Sequence, residues 1–235
     1  MSEDNVDWKK VLENTSIIRF PKQKLATFGN TSINYYVITE PLYTVIDSKF
    51  EEGVVRTGVV VAEKPAIITP YYAMHLQGFS EDAYEYFKEL NTSSGQNNPG
   101  ILYQYKNEPS EMEIVSGSPK AIAANIDSDL EKKKSDMSVV MIGVDEYWDV
   151  ALLKFVYEFT ANSIANNISE FSSRGLLDPD ESFGGIPRDA VQKIDKLFSE
   201  AEKGGSTDML KLELDRWGVF EQYQDRFFNL FKRTF

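Results

Sequence analysis

Apolar residues recur along the chain with two periods, and the change from one to the other divides it. Residues 33–39, 43–47, 54–62 and 66–69 are rich in Val, Ile, Tyr and Thr and are punctuated by Pro41, Gly53 and Pro65, which predicts strands. Val59-Val60-Val61-Ala62 is apolar on both faces, so it predicts an inner strand covered by helices on one side or both. Further strands are predicted at 101–105, 112–115 and 138–142, and residues 16–21 read as extended. Helical spacing interrupts them. Val6, Trp8, Val11 and Leu12 predict a short helix over 6–14. Ser80 caps a helix running to about Leu90, with Ala83, Tyr84, Phe87 and Leu90 as its stripe, and the polar stretch 91–100 is a loop. Ser118-Pro119 starts another helix, which runs to about Lys134.

From Asp145 onward the period stays helical. Residues 145–174 predict one long helix in which Val150, Leu153, Val156, Phe159, Ile164, Ile168 and Phe171 recur at helical intervals. Most of its circumference is apolar through Tyr157, so it is expected to be enclosed by its neighbours. Asn166-Asn167 mark a candidate kink, and Gly175 is a natural stop. A turn-rich connector at 176–185 and three shorter helices at 187–203, 207–217 and 219–233 follow. The expected fold class is therefore α+β, or mixed α/β: a mixed or antiparallel sheet of about six strands with packed helices, then a helical C-terminal subdomain built on one long buried helix. The change of period near Gly143 separates a mixed α/β region, 1–143, from a helical region, 144–235. Because the long helix should be buried, the two are expected to share one core as a single structural unit.

Composition narrows the partners. With 42% hydrophobic and 26% charged residues, the chain has enough apolar surface to fold. Its net charge of −12 divides evenly, −6 on residues 1–143 and −6 on 144–235, and the only dense basic run is Lys132-Lys133-Lys134. Phosphate backbones bind through Lys and Arg, so no nucleic-acid partner is expected. The absence of cysteine excludes disulfides, thiolate metal sites and cysteine nucleophiles. The opening residues MSEDNVDWKK carry charge where an export signal needs an apolar core, and no stretch reaches the ~20 apolar residues of a membrane span, so a soluble, cytoplasmic protein is expected. The N-x-S/T triplets at Asn14, Asn30, Asn91 and Asn167 are then chance matches.

Candidate chemistry is sparse. Asp145 and Asp149 lie four apart at a helix start, where two carboxylates could hold Mg²⁺ through a substrate phosphate, or simply complement the helix dipole. Asp178-Pro179-Asp180-Glu181-Ser182-Phe183-Gly184 resembles the opening of a calcium loop, but its glycine comes one position late and Asp189 stands where a bidentate Glu is needed; a connector is the better reading. The single histidine, His75, follows Pro70-Tyr71-Tyr72, where it could act as a general base with Tyr71 or Tyr72 as a neighbouring hydroxyl donor. Glycine-rich phosphate loops are absent, and the segments 116–120 and 184–188, minimal anion sites, are better explained by helix capping. No cofactor is predicted and no metal is assigned. The last predicted helix carries Phe220, Tyr223, Phe227, Phe228 and Phe231, between Trp217 and Phe235, an aromatic stripe that could dock on a second subunit or pack internally. The functional expectation is a non-catalytic binding or protein-interaction protein that self-associates, as a homodimer or with a protein partner, through Phe220, Tyr223, Phe227 and Phe231. The alternative is an enzyme or small-ligand receptor with a carboxylate, tyrosine and histidine pocket between the sheet and the helical region, lined by Tyr71, Tyr72, His75 and Arg56, with Asp145 and Asp149.

Overall fold

The computed structural model describes residues 7–42, 51–74 and 99–232. The expected strand at 43–47, the helix at 80–90, most of the loop at 91–100, His75 and Phe235 lie outside them. The fold is α+β, in two compact units: Met1–Lys64 with Tyr103–Asn167, and Pro65–Leu102 with Ile168–Phe235. In chain order the strands as far as the long helix are β1 (Ser16–Arg19), β2 (Thr31–Thr39), β3 (Glu52–Ala62), β4 (Ala66–Ile68), β5 (Gly100–Leu102), β6 (Tyr105–Ser116) and β7 (Ser138–Gly143). The helices are α1 (Trp8–Glu13), α2 (Pro70–Met74), α3 (Pro119–Lys132), α4 (Trp148–Ser173), α5 (Arg188–Glu202), α6 (Thr207–Trp217) and α7 (Phe220–Lys232).

Five strands build the sheet of the first unit in the order β1-β7-β2-β3-β6. β2 and β7 run parallel and every other pair is antiparallel, so the sheet is mixed. Of the expected six or so strands, β4 and β5 instead pair with each other in the second unit. Alternation along β2 sends Ile33, Tyr35 and Val37 to one face, where with Val60, Ala62, Val139 and Met141 they meet Ala151, Leu152, Phe155 and Phe159 of α4. Ile38 of β2, Val55 and Val140 face the other way, onto Ile122, Ala123 and Leu130 of α3. The inner strands are apolar on both sides because both sides are covered. Gly58 sits opposite Tyr35 in the β2–β3 register, and a Cβ there would strike the Tyr35 ring and the Glu108 carbonyl oxygen.

The chain at 101–105 and 112–115 departs from expectation. After the short β5, one continuous 12-residue strand, β6, runs through the polar residues between those segments. It is the outermost strand on its side of the sheet, and residues 106–114 are exposed, so its sequence shows no buried alternation. Pro109, which lacks an N–H, is tolerated on such an edge.

α4 follows a 3-10 turn, Asp145–Tyr147, and is 26 residues long. The expectation that it is enclosed on nearly every side is corrected: Leu153 is 67% and Tyr157 75% exposed, with Ile164 at 38% and Ile168 at 43% on the same side. A helix laid on one sheet face buries one stripe, and the opposite stripe keeps its contact with water. The inner side is also fastened by polar groups. Buried Asn167 donates to Leu25 O (3.0 Å) and Thr27 Oγ1 (2.7 Å) and accepts from Tyr103 Oη (2.8 Å), while Ser163 Oγ accepts from Leu25 N (3.2 Å). β1 is tied to α3 by buried Arg19, whose Nη1 lies 2.8 Å from Asp127 and 3.1 Å from Glu131. α3 starts as its sequence predicts, with Ser118 Oγ accepting from Ala121 N and Pro119 in first position.

In the second unit, Ala190, Val191, Ile194 and Phe198 of α5 form a stripe that packs with Leu210, Leu214 and Trp217 of α6, Tyr223 and Phe227 of α7, and Tyr72 of α2. The connector forms a minimal ribbon, β8 (Pro179–Asp180) with β9 (Ile186–Pro187), around a 3-10 turn. Among the described residues no helix is long and apolar enough to cross a membrane. Replacing Asn167 with Ala strands three buried partners, so unfolding in urea should show a loss of roughly 3 kcal/mol with the m-value unchanged.

Candidate functional site

A polar constellation lies at the carboxyl ends of the parallel strands. β2 ends at Thr39, which pairs with Gly143 at the end of β7; Asp145 follows two residues later. Arg56 on β3 pairs with Val37, one step along the same face as Thr39. Asp145 Oδ1 therefore receives Arg56 Nη1 at 2.6 Å and Thr39 Oγ1 at 2.5 Å, and Arg56 Nη1 also donates to Thr39 Oγ1 at 2.9 Å. The guanidinium lies 5.7 Å from the centre of the Trp148 ring, which itself stacks near Tyr35. Burial pushes the Asp145 carboxyl up, but hydrogen bonds from Thr39 and Arg56, the Arg56 charge and the Leu42 backbone together hold it below its ordinary range.

This geometry joins two of the residues singled out from sequence, Arg56 and Asp145, and separates a third. Asp145 sits in the turn ahead of α4 and faces inward, whereas Asp149 is exposed on the helix. A carboxylate already neutralised by an arginine is a poor cation ligand. Among the described residues no group of three or more His, Asp or Glu side chains could hold a metal ion. In the connector, Asp180 Oδ1 accepts from Ser182 N (3.1 Å) and Gly184 takes a left-handed conformation (φ 73°), so these residues serve the turn.

The tyrosine candidates lie in the second unit. Tyr71 packs its ring against Gly218, where a Cβ would collide with it. Tyr72 is buried, its ring 4.6 Å from Trp217, and its hydroxyl donates to Glu213 Oε2 at 3.3 Å. Burial and, after it, the Glu213 charge push the Tyr72 phenol up, so it stays protonated. Glu213 is a buried carboxylate that sequence reasoning missed. Its Oε1 also accepts from Lys193 Nζ (2.7 Å) and Trp217 Nε1 (3.1 Å), so the one side chain joins α2, α5 and α6. Its position was readable in principle: Leu210, Glu213, Leu214 and Trp217 share the inner stripe of α6. With donors on both oxygens, Glu213 acts as a packing pin.

The aromatic stripe of α7 divides. Tyr223 and Phe227 are buried in the core of the second unit and Phe220 is partly buried, which leaves Phe228 and Phe231 half-exposed. Tyr223 stacks on Phe183 (5.0 Å) and Phe198 (5.5 Å). Its phenol is pushed up to about 12, first by burial and then by Asp195. The Tyr223 hydroxyl is buried without a hydrogen-bond partner among the described residues. Another exposed apolar feature is the outer face of α4.

Two outcomes follow. Because the folded Asp145 carboxyl titrates below its unfolded value, its stabilisation is complete above the unfolded pKa and lost as pH falls through the folded one. Asp145→Asn should cost about 2 kcal/mol at neutral pH, and the gap from the parent should close at acid pH, as read by urea unfolding across pH. Tyr223→Phe keeps the stack and removes an unpaired buried hydroxyl, so the melting temperature should hold or rise, by up to about 1 kcal/mol of stability. No family model matches the chain, and comparisons with curated proteins and with solved structures find no match either.

Proposed function

We propose that this chain is a non-catalytic protein-interaction protein that associates with a second copy of itself. The observation that carries this reading is the outer face of α4, where Leu153, Tyr157 and Ile164 turn apolar side chains to solvent and no charged residue lies on the stripe they define. In a chain that is 26% charged, such a stripe is a departure from the surrounding surface. Burying side chains of this size returns roughly 1.5–3 kcal/mol each, a driving force that a second copy supplies by presenting the same patch. This moves the expected interface from the aromatic helix α7, whose Tyr223 and Phe227 are spent on the core, to α4.

The polar groups support the non-catalytic side of the reading. Asp145 is held by Arg56 and Thr39, and Glu213 by Lys193, Trp217 and Tyr72, so the buried carboxylates are engaged in bonds within the fold. A small-ligand site is the second reading. It is favoured by the convergence of Arg56 and Asp145 at the carboxyl ends of the parallel pair, where ligands bind in open α/β sheets. With a charge of −12, nucleic acid is not among the proposed partners, and the cytoplasm is the compartment assumed.

Sedimentation velocity over a concentration series should resolve a monomer and a dimer. Salt should strengthen the dimer, because two copies of charge −12 repel and screening relieves that repulsion. The double variant Leu153→Glu, Tyr157→Glu should sediment as a monomer with an unchanged melting temperature, since both positions are exposed. A parent protein that stays monomeric at every concentration and salt would remove the proposal.

A further inference from the structure

Arg56 spends only part of its guanidinium on the fold. Asp145 Oδ1 and Thr39 Oγ1 both take their bonds from one nitrogen, Nη1. Nε and Nη2 bond to no other described residue, and neither is sealed from solvent as Arg19 Nε is. The edge that these two nitrogens form is the one that grips a carboxylate through two parallel N–H bonds. It is also held still: the ion pair anchors the far side of the group, and its Cζ lies 5.7 Å from the centre of the Trp148 ring. Two donors kept oriented but unspent lower the ordering cost of a ligand. We propose that Arg56 Nε and Nη2 bind the carboxylate of a small ligand whose apolar body lies along Met112 and Ile114 of β6. This rests on the small-ligand reading given above, names the class of ligand, and is independent of self-association.

Strand register places the apolar shelf beside the charge. Met112 pairs with Arg56 and Ile114 with Val54, so both point to the sheet face that Arg56 occupies. On that face Val37 and Val60 are buried under α4, whereas Met112 and Ile114 are exposed. All of these residues belong to the first compact unit. Charge then selects among anions. Asp145 stands on the far side of Arg56, Glu111 and Glu113 flank Met112, and the chain carries −12. A second negative charge on the ligand would be repelled, which favours a monoanionic carboxylate over a phosphate dianion.

Phenylacetate, its neutral isostere phenylacetamide and inorganic phosphate are the probes. Each is titrated into the isotopically labelled full-length protein while NMR follows the Arg56 Nε–H and Trp148 Nε1–H signals. Phenylacetate should shift both with a single dissociation constant of about 1 mM, and phenylacetamide should bind about tenfold more weakly. Phosphate should not compete at equal concentration. Arg56→Lys keeps the charge but removes the fork, and should weaken phenylacetate binding about tenfold. Because that change also touches the Asp145 pair, Met112→Glu is a second variant. Its position is exposed, so melting should match the parent while phenylacetate binding weakens about fivefold. Equal binding of amide and acid, or tighter binding of phosphate, would overturn the carboxylate and leave a small-ligand site standing. Binding indifferent to both variants would overturn the placement at Arg56. If no probe shifts either signal, this proposal and the small-ligand reading fall together, and self-association is untouched.

Discussion

The first unit depends on the burial of strands that are apolar on both faces. β2 and β7 each direct large aliphatic side chains to both sides of the sheet, and neither side can be left to water. α3 covers one side and α4 the other. That constraint sets the direction in which each helix must turn its apolar stripe. It also explains why α4 spends Ala151, Leu152, Phe155 and Phe159 on the sheet and has none of them left for its outer surface. The same closeness fixes Gly58, because Tyr35 lies across the strand where a side chain would otherwise stand.

Polar residues fasten these layers at a few points. Arg19 joins β1 to α3, Asn167 joins α4 to the segment around Leu25 and Thr27, and Asp145 closes the turn between β7 and α4 onto β3. In the second unit Glu213 performs the same service among three helices. Each is surrounded by donors or acceptors suited to its charge, and removing one partner would leave another buried without compensation. Residue types that elsewhere carry chemistry are employed here in holding elements together.

How far the sequence foretold this differs with the residue. Inner strands were legible because Val, Ile and Tyr follow the period of the sheet, and α3 because Ser118-Pro119 states its start chemically. β6 was legible only at 112–115, since a strand at the rim buries little and the polar run before that segment hides the alternation. The enclosure expected of α4 failed for a related reason: apolar residues around a helix show what it could bury, and the neighbours decide how much it does. The meeting of Arg56 with Asp145 spans 89 positions and depends on strand pairing, which no local pattern encodes. On α7 the spacing of aromatics located the helix but could not tell which of them face inward, and Glu213 escaped notice because a carboxylate on an inner stripe resembles an ordinary surface acid.

The outermost strand β6 has a consequence for how the protein behaves when crowded. A bare strand rim is a template on which other chains can add and on which fibrils grow. Here that rim carries Glu108, Glu111 and Glu113 and is broken by Pro109, so an incoming strand meets like charge and a missing donor. On this side the sheet is therefore a poor template for an added strand, because its composition sets like charge and a missing donor against one.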